Sequence, residues 1–430
     1  MKIPKHVIII SFDALSSLDF NTIYNLPNFK KYIQTASYCK NVYSIYPSLT
    51  YPAHATIVTG KYPKNHGVIN NTLIQPERKI PDWFWYRKYI KSDTFYDKAI
   101  EKGLTAAALL WPVTAKSKIQ YNLPEIFANR PWQNQVLVSL LNGSPIYQIK
   151  LVKKFGHILK GIHEPELDNF VHESVLYTID KYLPNLMLIH YTDLDSQRHH
   201  HGFYSKEASD ALIRHDKRLG DVIDRLKSKG VYEDSAIILL GDHASIDENK
   251  IIRINSMFKK DGLLQIDSKD NIKQWKALGK TCDGSCYVYI KEKSIKDSVY
   301  NKLVEFNNKN NNCIKSIYTS SEAAALGADP SCTFMLEASK GYYFVDEASG
   351  NYTDDIKSSA KDNPYTLATH GYLPTIENYT TMFFASGKGI RSKVVIDSMN
   401  LIDEGPTIAK LMGLSLDCPD GKVIKNFLEE

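Results

Sequence analysis

The sequence predicts an α/β fold with a mostly parallel central sheet, helices on both faces and a smaller inserted α+β subdomain. Short apolar runs rich in aliphatic residues recur along the chain, and segments with helical spacing lie between them. Alternation of strand and helix is typical of a parallel sheet that is covered by helices. The runs are HVIII (6–10), TAAALLW (105–111), LMLIHY (186–191), AIILLGD (236–242) and MFFASG (382–387).

Each of these runs is predicted to be a strand that is buried on both faces. Strands with one face in water alternate apolar and polar residues, whereas these runs are almost continuously apolar. We therefore expect them to form the core of one sheet.

The clearest helix is predicted over residues 206–230. Its apolar side chains recur every three or four residues and so fall on one face, and Gly230 follows as a stop signal. The predicted buried stripe consists of Ala211, Leu212, His215, Leu219, Val222, Ile223 and Leu226.

We expect one main domain over residues 1–430, with an inserted subdomain at approximately 265–365. Length alone would allow two or three domains, but large α/β enzymes often run this long as one unit. The sequence from 265 to 365 is polar and rich in Asn and Lys around short strand-like pieces, which distinguishes it from the rest.

The composition argues against several classes of protein. With 43% hydrophobic and 23% charged residues, the chain has an ordinary globular balance. Its formal charge of +5 is not concentrated in a long basic run, so binding to duplex nucleic acid is not expected. The first apolar run is shorter than the roughly 7–15 residues of a signal peptide core, and no run of about 18 apolar residues occurs. We therefore expect a cytoplasmic protein without a membrane span.

The six cysteines, at positions 39, 282, 286, 313, 332 and 418, lack paired CxxC spacing. A zinc site built from cysteines is therefore not expected. A disulfide within the group from 282 to 332 stays open.

The stretch YPSLTYPAHATIVTG (46–60) places Thr50 between Pro47 and Pro52. Proline fixes the backbone and is favoured in the first turn of a helix, so Thr50 is predicted at or just before a helix N-terminus. Free N–H groups at such an end bind anions, and a hydroxyl beside them could meet a phosphate or a sulfate. The alternative is that Thr50 only caps the helix.

Acidic and histidine side chains follow the predicted strands, where functional residues of open α/β sheets gather. Taken singly, each has an ordinary explanation as a turn residue, an ion pair or a loop histidine. Carboxylate and imidazole are ligands of Zn²⁺, however, and their joint occurrence at strand ends favours a metal site. These residues are Asp13, Asp195, His199, Asp242, His243 and His370.

The number of candidate ligands fits two metal ions. Asp195 and His199 lie four residues apart, so one helical turn can bring both to one ion. The adjacent Asp242 and His243 can share a second ion with Asp13. A hydroxyl beside such ions is an activated nucleophile, and two ions about 4 Å apart can hold the attacking and leaving oxygens of an in-line displacement.

Six stretches resemble, in the same order, motifs of the nucleotide pyrophosphatase/phosphodiesterase family of the alkaline phosphatase superfamily. They span nearly the whole chain apart from the inserted region, and their order is far more specific than any single motif. The resemblance implies an alkaline phosphatase-like catalytic domain. The stretches are SFDAL (11–15), PSLTYPAHATIVTGKYPKNHGVINN (47–71), LWP (110–112), DSQRHHHG (195–202), GDHA (241–244) and THGYLP (369–374).

The resemblance implies two Zn²⁺ ions, although other divalent transition metals suit the same ligands. It also implies that Thr50 is the nucleophile, that a phosphothreonine forms, and that the amide of Asn71 donates to a phosphoryl oxygen. The implied ligands are Asp195, His199 and His370 for one ion, and Asp13, Thr50, Asp242 and His243 for the other.

The resemblance further implies a substrate pocket that sandwiches a base. Tyr51 follows the nucleophile, and Phe127 lies beyond the WP dipeptide. Trp111 belongs to that dipeptide, and His190 occupies a position where the family often has tyrosine. The acidic residue that the family often has after WP is not found there in this sequence. The aromatic residues could equally belong to the core.

These observations predict a metal-dependent phosphodiesterase or nucleotide pyrophosphatase that acts on a small-molecule phosphodiester or nucleotide. A phosphomonoesterase of the same superfamily and a catalytically silent binding protein on the same fold are the alternatives. A sulfatase is disfavoured because no formylglycine precursor motif follows the first strand. The sequence leaves the oligomeric state and the natural substrate open.

Overall fold

The computed structural model describes residues 2–356 and 364–429. Within these residues the α helices are α1 (Phe20–Tyr24), α2 (Pro27–Ile33), α3 (Thr50–Thr59), α4 (Pro63–His66), α5 (Phe95–Glu101), α6 (Gln135–Asn142), α7 (Pro145–Phe155), α8 (Glu166–Lys181), α9 (Asp193–His201), α10 (Lys206–Ser228), α11 (Ile254–Lys260), α12 (Lys296–Lys309), α13 (Ser320–Ala325) and α14 (Glu404–Leu411).

The strands of the same residues form several sheets. They are β1 (His6–Phe12), β2 (Ser37–Tyr43), β3 (Ala106–Leu109), β4 (Tyr121–Leu123), β5 (Leu186–Tyr191), β6 (Ser235–Leu240), β7 (Ile246–Asp247), β8 (Lys250–Ile252), β9 (Leu264–Ile266), β10 (Ile272–Trp275), β11 (Ala277–Cys282), β12 (Ser285–Ile290), β13 (Ile314–Thr319), β14 (Phe334–Ala338), β15 (Tyr342–Phe344), β16 (Thr353–Asp355), β17 (Ala368–Thr369), β18 (Thr381–Gly387), β19 (Val395–Ile396) and β20 (Met399–Asn400).

The largest sheet has nine strands in the order β19-β2-β18-β6-β1-β5-β3-β4, with β20 beside β2. Strand β1 pairs in parallel with both β5 and β6, and β3 pairs in parallel with β5 and β4. All five predicted strands lie in this sheet, which confirms the predicted α/β class. Strand β18 runs antiparallel to β6 and β2, so the sheet is mixed at this side.

Strand β2 was absent from the predicted strands. Its sequence, SYCKNVY, carries polar residues, and its burial alternates between buried and partly exposed positions. A strand with one face toward solvent has no continuous apolar run, so the criterion that found the central strands could not find this one.

Strand β1 shows why the centre of the sheet is stable. All seven of its residues are buried. Val7 and Ile9 belong to one hydrophobic cluster, whereas Ile8 and Ile10 belong to another. Because successive side chains of a strand point to opposite faces, the sheet separates two apolar layers. Burial of each large aliphatic side chain contributes about 1.5–3 kcal/mol.

Helix α10 ends at Ser228, two residues before the predicted limit, and Gly230 follows with a positive φ of 69°. Its apolar stripe packs in the layer that contains Ile8 and Ile10. Ile223 packs at the margin of that layer and is only partly buried, unlike the rest of the predicted stripe.

A second group of elements lies in the region of the predicted insertion. Strands β11, β12, β14 and β13 form an antiparallel sheet, and a separate apolar cluster contains residues of this sheet and of α12. Strand β8 and helix α11 precede residue 265, yet they pack into the same group. Residues 357–363 of the predicted insertion lie outside the described residues. The limits of 265–365 stay a prediction.

All six cysteines are free, so the disulfide left open by the sequence is not formed. Among the described residues, no helix combines the length and the apolar character that crossing a bilayer requires. The cytoplasmic location stays a prediction.

Replacing Ile10 by alanine tests the importance of the layer behind β1. Ile10 is fully buried, so Ile10→Ala should lower the free energy of unfolding by about 2–5 kcal/mol, because it removes apolar contacts and leaves a cavity. Urea titration followed by circular dichroism measures this change. Ile213 on α10 is 55% exposed, and Ile213→Ala should stay within about 0.5 kcal/mol of the parent. Equal losses in both variants would contradict the assigned core.

Candidate active site

The candidate active site lies at the carboxyl edge of the parallel strands. Asp13 directly follows β1, α9 follows β5, and Asp242 with His243 follows β6. Because β1 lies between β5 and β6, the ends of these three strands meet. The structure brings the predicted carboxylates and histidines together in two groups.

The first group consists of Asp13, Asp242 and His243, all buried. The Nε2 atom of His243 lies 3.4 Å from Oδ1 of Asp13 and 3.2 Å from Oδ2 of Asp242. The hydroxyl of Thr50 lies 3.1 Å from the same Nε2 atom. Three possible metal ligands and one hydroxyl therefore converge.

The second group consists of Asp195, His199 and His370. Nε2 of His199 lies 3.0 Å from Oδ2 of Asp195, and Nε2 of His370 lies 3.9 Å from Oδ1 of Asp195. The ring of His370 stacks on the ring of His243 with centroids 3.9 Å apart, which joins the two groups.

Backbone carbonyl groups orient all three histidines. Nδ1 of His199 lies 2.8 Å from the carbonyl oxygen of Ala368. Nδ1 of His370 lies 3.2 Å from the carbonyl oxygen of Ser48, and Nδ1 of His243 lies 3.2 Å from that of Ala244. A histidine that donates from Nδ1 presents Nε2 as an acceptor, which is the arrangement found at metal sites.

Thr50 is the first residue of α3, and Leu49 is the residue before the helix. The Thr50 hydroxyl contacts His243, and it accepts no hydrogen bond from a backbone N–H of the helix. The interpretation of Thr50 as a simple cap therefore does not hold. Its hydroxyl lies at a helix N-terminus, where anions bind, and its own backbone N–H has no hydrogen-bond partner within the described residues.

Unpaired oxygens show that a cation fits the site. Oδ1 of Asp13, Oδ1 of Asp195 and Oδ2 of Asp242 are buried without a hydrogen-bond partner among the described residues. Leaving a buried charged oxygen unpaired costs several kcal/mol. Carboxylate oxygens and imidazole Nε2 atoms are the donors that Zn²⁺ accepts, so both groups are suited to hold a metal.

Burial and neighbouring carboxylates raise the pKa values of the two acids of the first group. Burial and the nearby charge of Asp195 raise the pKa of Asp13 to about 7. Burial and the charge of Asp13 raise the pKa of Asp242 well above its ordinary value. Burial lowers the pKa of His243, which favours the neutral ring that binds metals.

The second group contains its own ion pair. Burial alone would lower the pKa of His199, but the adjacent Asp195 carboxylate raises it to about 9. The pKa of Asp195 is held below its ordinary value, because His199 and then His370 outweigh the opposing effect of burial. Burial lowers the pKa of His370.

A cleft of about 570 Å³ opens beside both groups. Thr50, Asn71 and His370 line one end of it, and apolar side chains line much of the rest. The Oδ1 atom of Asn71 accepts a hydrogen bond of 2.9 Å from the backbone N–H of Tyr51, so the amide nitrogen is available to other partners. Phe127 also lines the cleft, with its ring edge-on to Trp83 at 5.3 Å.

Tyr51, Trp111 and His190, which the resemblance implied for the substrate pocket, are not among the residues that line the cleft. All three are fully buried. Tyr51 and Trp111 belong to a hydrophobic cluster of the core, as the alternative interpretation of these aromatic residues had it. His190 contacts Oδ2 of Asp13 and Oε2 of Glu125, each at 3.1 Å, and therefore lies beneath the first group.

Sequence reasoning missed Glu125, Trp83 and Asp283, which all line the cleft. Glu125 is an acidic residue of the cleft, and its Oε1 atom accepts a hydrogen bond of 3.1 Å from the Tyr51 hydroxyl. It follows β4, whose parallel pairing with β3 brings its end to the same edge of the sheet. Asp283 lies in the turn between β11 and β12, and no signal in the sequence links that turn to the cleft.

His54, one helical turn after Thr50, was also missed. Its Nδ1 atom lies 2.8 Å from the Thr50 carbonyl oxygen, and its Nε2 atom lies 2.9 Å from the hydroxyl of Ser11. These contacts fix the first turn of α3 against β1. The spacing of four residues from Thr50 is the signal that could have found it.

Known proteins resemble this chain in sequence and in fold. The profile of the family described as "Type I phosphodiesterase / nucleotide pyrophosphatase" matches residues 7–373. Human ectonucleotide pyrophosphatase/phosphodiesterase family member 1 is 26% identical over 231 residues, which cover 51% of this chain but only 21% of that relative. Human bis(5'-adenosyl)-triphosphatase ENPP4 is 21% identical over 420 residues, which cover 96% of this chain and 79% of that relative.

A solved structure of murine ectonucleotide pyrophosphatase / phosphodiesterase 5 has the same fold. It superposes with a TM-score of 0.69 at 19% identity, and the match covers 99% of this chain and 100% of that chain. An inactive form of the same murine protein has been solved in complex with AMP. The family profile spans most of the chain, and the alkaline phosphatase-like fold agrees with it. This chain belongs to the Type I phosphodiesterase / nucleotide pyrophosphatase family.

Proposed function

We propose that this protein hydrolyses phosphodiester or phosphoanhydride bonds of nucleotides, with two metal ions and a covalent intermediate on Thr50. The observation that carries the proposal is the position of the Thr50 hydroxyl. It lies 3.1 Å from Nε2 of His243, at the N-terminus of α3 and in the wall of the cleft.

In this proposal each group of ligands holds one ion. Asp195, His199 and His370 would hold one Zn²⁺, and Asp13, Asp242, His243 and Thr50 would hold the other. The ions would neutralise charge that develops on the phosphoryl oxygens and would favour ionisation of a hydroxyl beside them. The same donors suit other divalent transition metals.

The reaction is a double displacement at phosphorus. The Thr50 oxygen attacks the phosphorus and loses its proton to solvent, while the bond from phosphorus to the leaving oxygen breaks and the leaving group departs with the bonding electron pair. A water molecule then attacks the phosphothreonine, and the bond between phosphorus and Thr50 breaks as the hydroxyl regains a proton. Two half-reactions replace one difficult step.

Two donors of this chain are suited to a phosphoryl oxygen. One is the backbone N–H of Thr50, which makes no hydrogen bond within the described residues, whereas the Tyr51 N–H bonds to Asn71 and Pro52 has no N–H. The Nδ2 group of Asn71 would donate a further hydrogen bond, because the Tyr51 N–H holds the opposite face of the amide. Both would orient the substrate without adding a full charge.

The charges of the cleft favour a diester over a monoester. No Lys or Arg lines the cleft within residues 2–356 and 364–429, whereas Glu125 and Asp283 do. A monoester near neutral pH carries nearly two negative charges, because its second pKa lies near 6, whereas a diester carries one. A site without a fixed cation is better suited to the diester.

Trp83 and Phe127 line the cleft with their rings in contact, so they replace Tyr51 in the proposed nucleotide pocket. An aromatic ring that stacks on a base contributes about 1–3 kcal/mol. The AMP complex of the murine relative supports a nucleotide as the group beyond the phosphate.

Thr50→Ala should lower kcat by about thousandfold or more, because the variant has no hydroxyl to attack phosphorus. Thr50→Ser keeps the hydroxyl and should retain a measurable part of the activity. Acid quenching during turnover, followed by peptide mass spectrometry, should find phosphate on Thr50. Phosphate on another residue, or normal turnover by Thr50→Ala, would refute the assignment.

Asp242→Asn and His370→Ala should each lower the zinc content of the folded protein and its turnover, because each removes a ligand from a different group. Plasma mass spectrometry gives the metal content, and circular dichroism confirms folding. His201→Ala is the matched control, since His201 is an exposed neighbour of the second group on α9. Full metal content and normal activity in both ligand variants would contradict the proposal.

Trp83→Ala should lower kcat/KM for the nitrophenyl ester of thymidine 5′-monophosphate by about tenfold, which corresponds to about 1.4 kcal/mol of lost stacking. Plain nitrophenyl phosphate has no base, so its rate should change much less. Trp132→Ala is the control, because Trp132 is 80% exposed and lies outside the cleft. A parent enzyme that prefers the plain phosphate would favour the phosphomonoesterase alternative.

A further inference from the structure

Two helices beside the cleft, α6 and α7, expose several large apolar side chains. Single exposed apolar side chains are ordinary, but concentration of many in one short segment marks an interaction site. Trp132 lies just before α6 and adds to these side chains, and we call the following five side chains the α6–α7 apolar surface: Trp132 (80% exposed), Leu137 (58%), Leu141 (74%), Ile146 (74%) and Ile149 (41%).

The opposite side of α7 fixes this surface in place. Tyr147 and Leu151 are buried in the layer that also packs against β1. The hydroxyl of Tyr147 lies 2.6 Å from that of Thr178 on α8. The apolar side chains on the outer side therefore do not stabilise the packing of α7 on the sheet.

The charged side chains in and around α6 and α7 are all positive. Residues 126–163 contain no Asp or Glu, and their five cations equal the formal charge of +5 of the whole chain. Arg130 and Lys160 form ion pairs with Asp82 and Glu166. The remaining three cations, Lys150, Lys153 and Lys154, are exposed on α7, and no carboxylate pairs with them in the described part of the chain.

We propose that the α6–α7 apolar surface docks on a bilayer that contains anionic lipids. Helices with exposed apolar side chains and flanking lysines lie in the interface of such bilayers, with the apolar side chains among the acyl chains. Lysines near an anionic membrane surface are attracted to it, and Trp is favoured at the level of the headgroups. The proposed membrane docking does not depend on the chemistry proposed for Thr50.

A second copy of the chain fits this surface less well. In a symmetric dimer the same patch faces itself, which would bring the α7 lysines of both copies together. An anionic lipid surface supplies the opposite charge for all three lysines. Docking would also bring the cleft to the membrane, because Val136, Val152 and Ile162 are exposed and line the cleft as well.

Co-sedimentation with vesicles tests this proposal on the full chain. The protein should sediment with vesicles of phosphatidylcholine and phosphatidylserine, and much less with pure phosphatidylcholine. Added sodium chloride should weaken the binding, because salt screens the attraction between lysines and lipid headgroups. Sedimentation velocity without lipid measures the oligomeric state in parallel.

Two double variants separate the contribution of the apolar side chains to vesicle binding from that of the lysines. Leu141→Ser with Ile146→Ser should reduce binding by about tenfold or more, and Lys153→Gln with Lys154→Gln should reduce it and its dependence on salt. All four side chains are exposed and outside the cleft, so hydrolysis of a soluble nitrophenyl diester should stay unchanged. Ile213→Ser, at an exposed position on α10, is the matched control and should bind like the parent.

Failure of the parent to bind anionic vesicles would overturn the proposal. So would equal binding by the parent and the Leu141→Ser, Ile146→Ser variant. A parent dimer that dissociates in that variant, together with absence of vesicle binding, would assign the surface to a second copy of the chain.

Discussion

Three neighbouring carboxylates, each with a buried oxygen that lacks a hydrogen-bond partner among the described residues, are the constraint on which the site depends. Asp13, Asp195 and Asp242 each have an oxygen without a hydrogen-bond partner in the described residues, and they lie at the ends of neighbouring strands. Their mutual repulsion opposes folding unless a cation is present. The apolar layers on both faces of β1 supply the stability that holds them together. The fold thus stabilises an arrangement that the site alone would not keep.

Backbone groups determine how this arrangement is held. Three carbonyl oxygens orient His199, His243 and His370, and the carbonyl oxygen that orients His370 belongs to Ser48, two residues before Thr50. The loop that carries His370 is therefore connected to the start of α3. A change in this loop would move both a possible metal ligand and the helix end that presents the hydroxyl. The two groups form one unit rather than two independent sites.

The sequence was sufficient where a local pattern reports a position in the fold. Apolar runs report buried strands, and the polar residue that follows each run reports the sheet edge, which is how Asp13 and Asp242 were found. A local pattern does not report the direction in which a side chain points. The family resemblance implied that Tyr51 is a pocket residue, but only the packing of α3 shows that its ring is buried in a core cluster. Asp283 reaches the cleft from the second sheet, and contacts between distant segments leave no periodic signal in a single sequence.

The hydrogen bond from the Tyr51 N–H to Asn71 has a consequence for the ageing of the protein. The bond fixes which face of the amide points away from the helix, so the face with the nitrogen remains as a donor. Deamidation would replace that nitrogen by an oxygen, and the resulting aspartate could still accept the bond from Tyr51. The side chain would then present a negative oxygen instead of a donor. Loss of one nitrogen atom would turn an attractive contact with an anion into a repulsive one, with little change in shape.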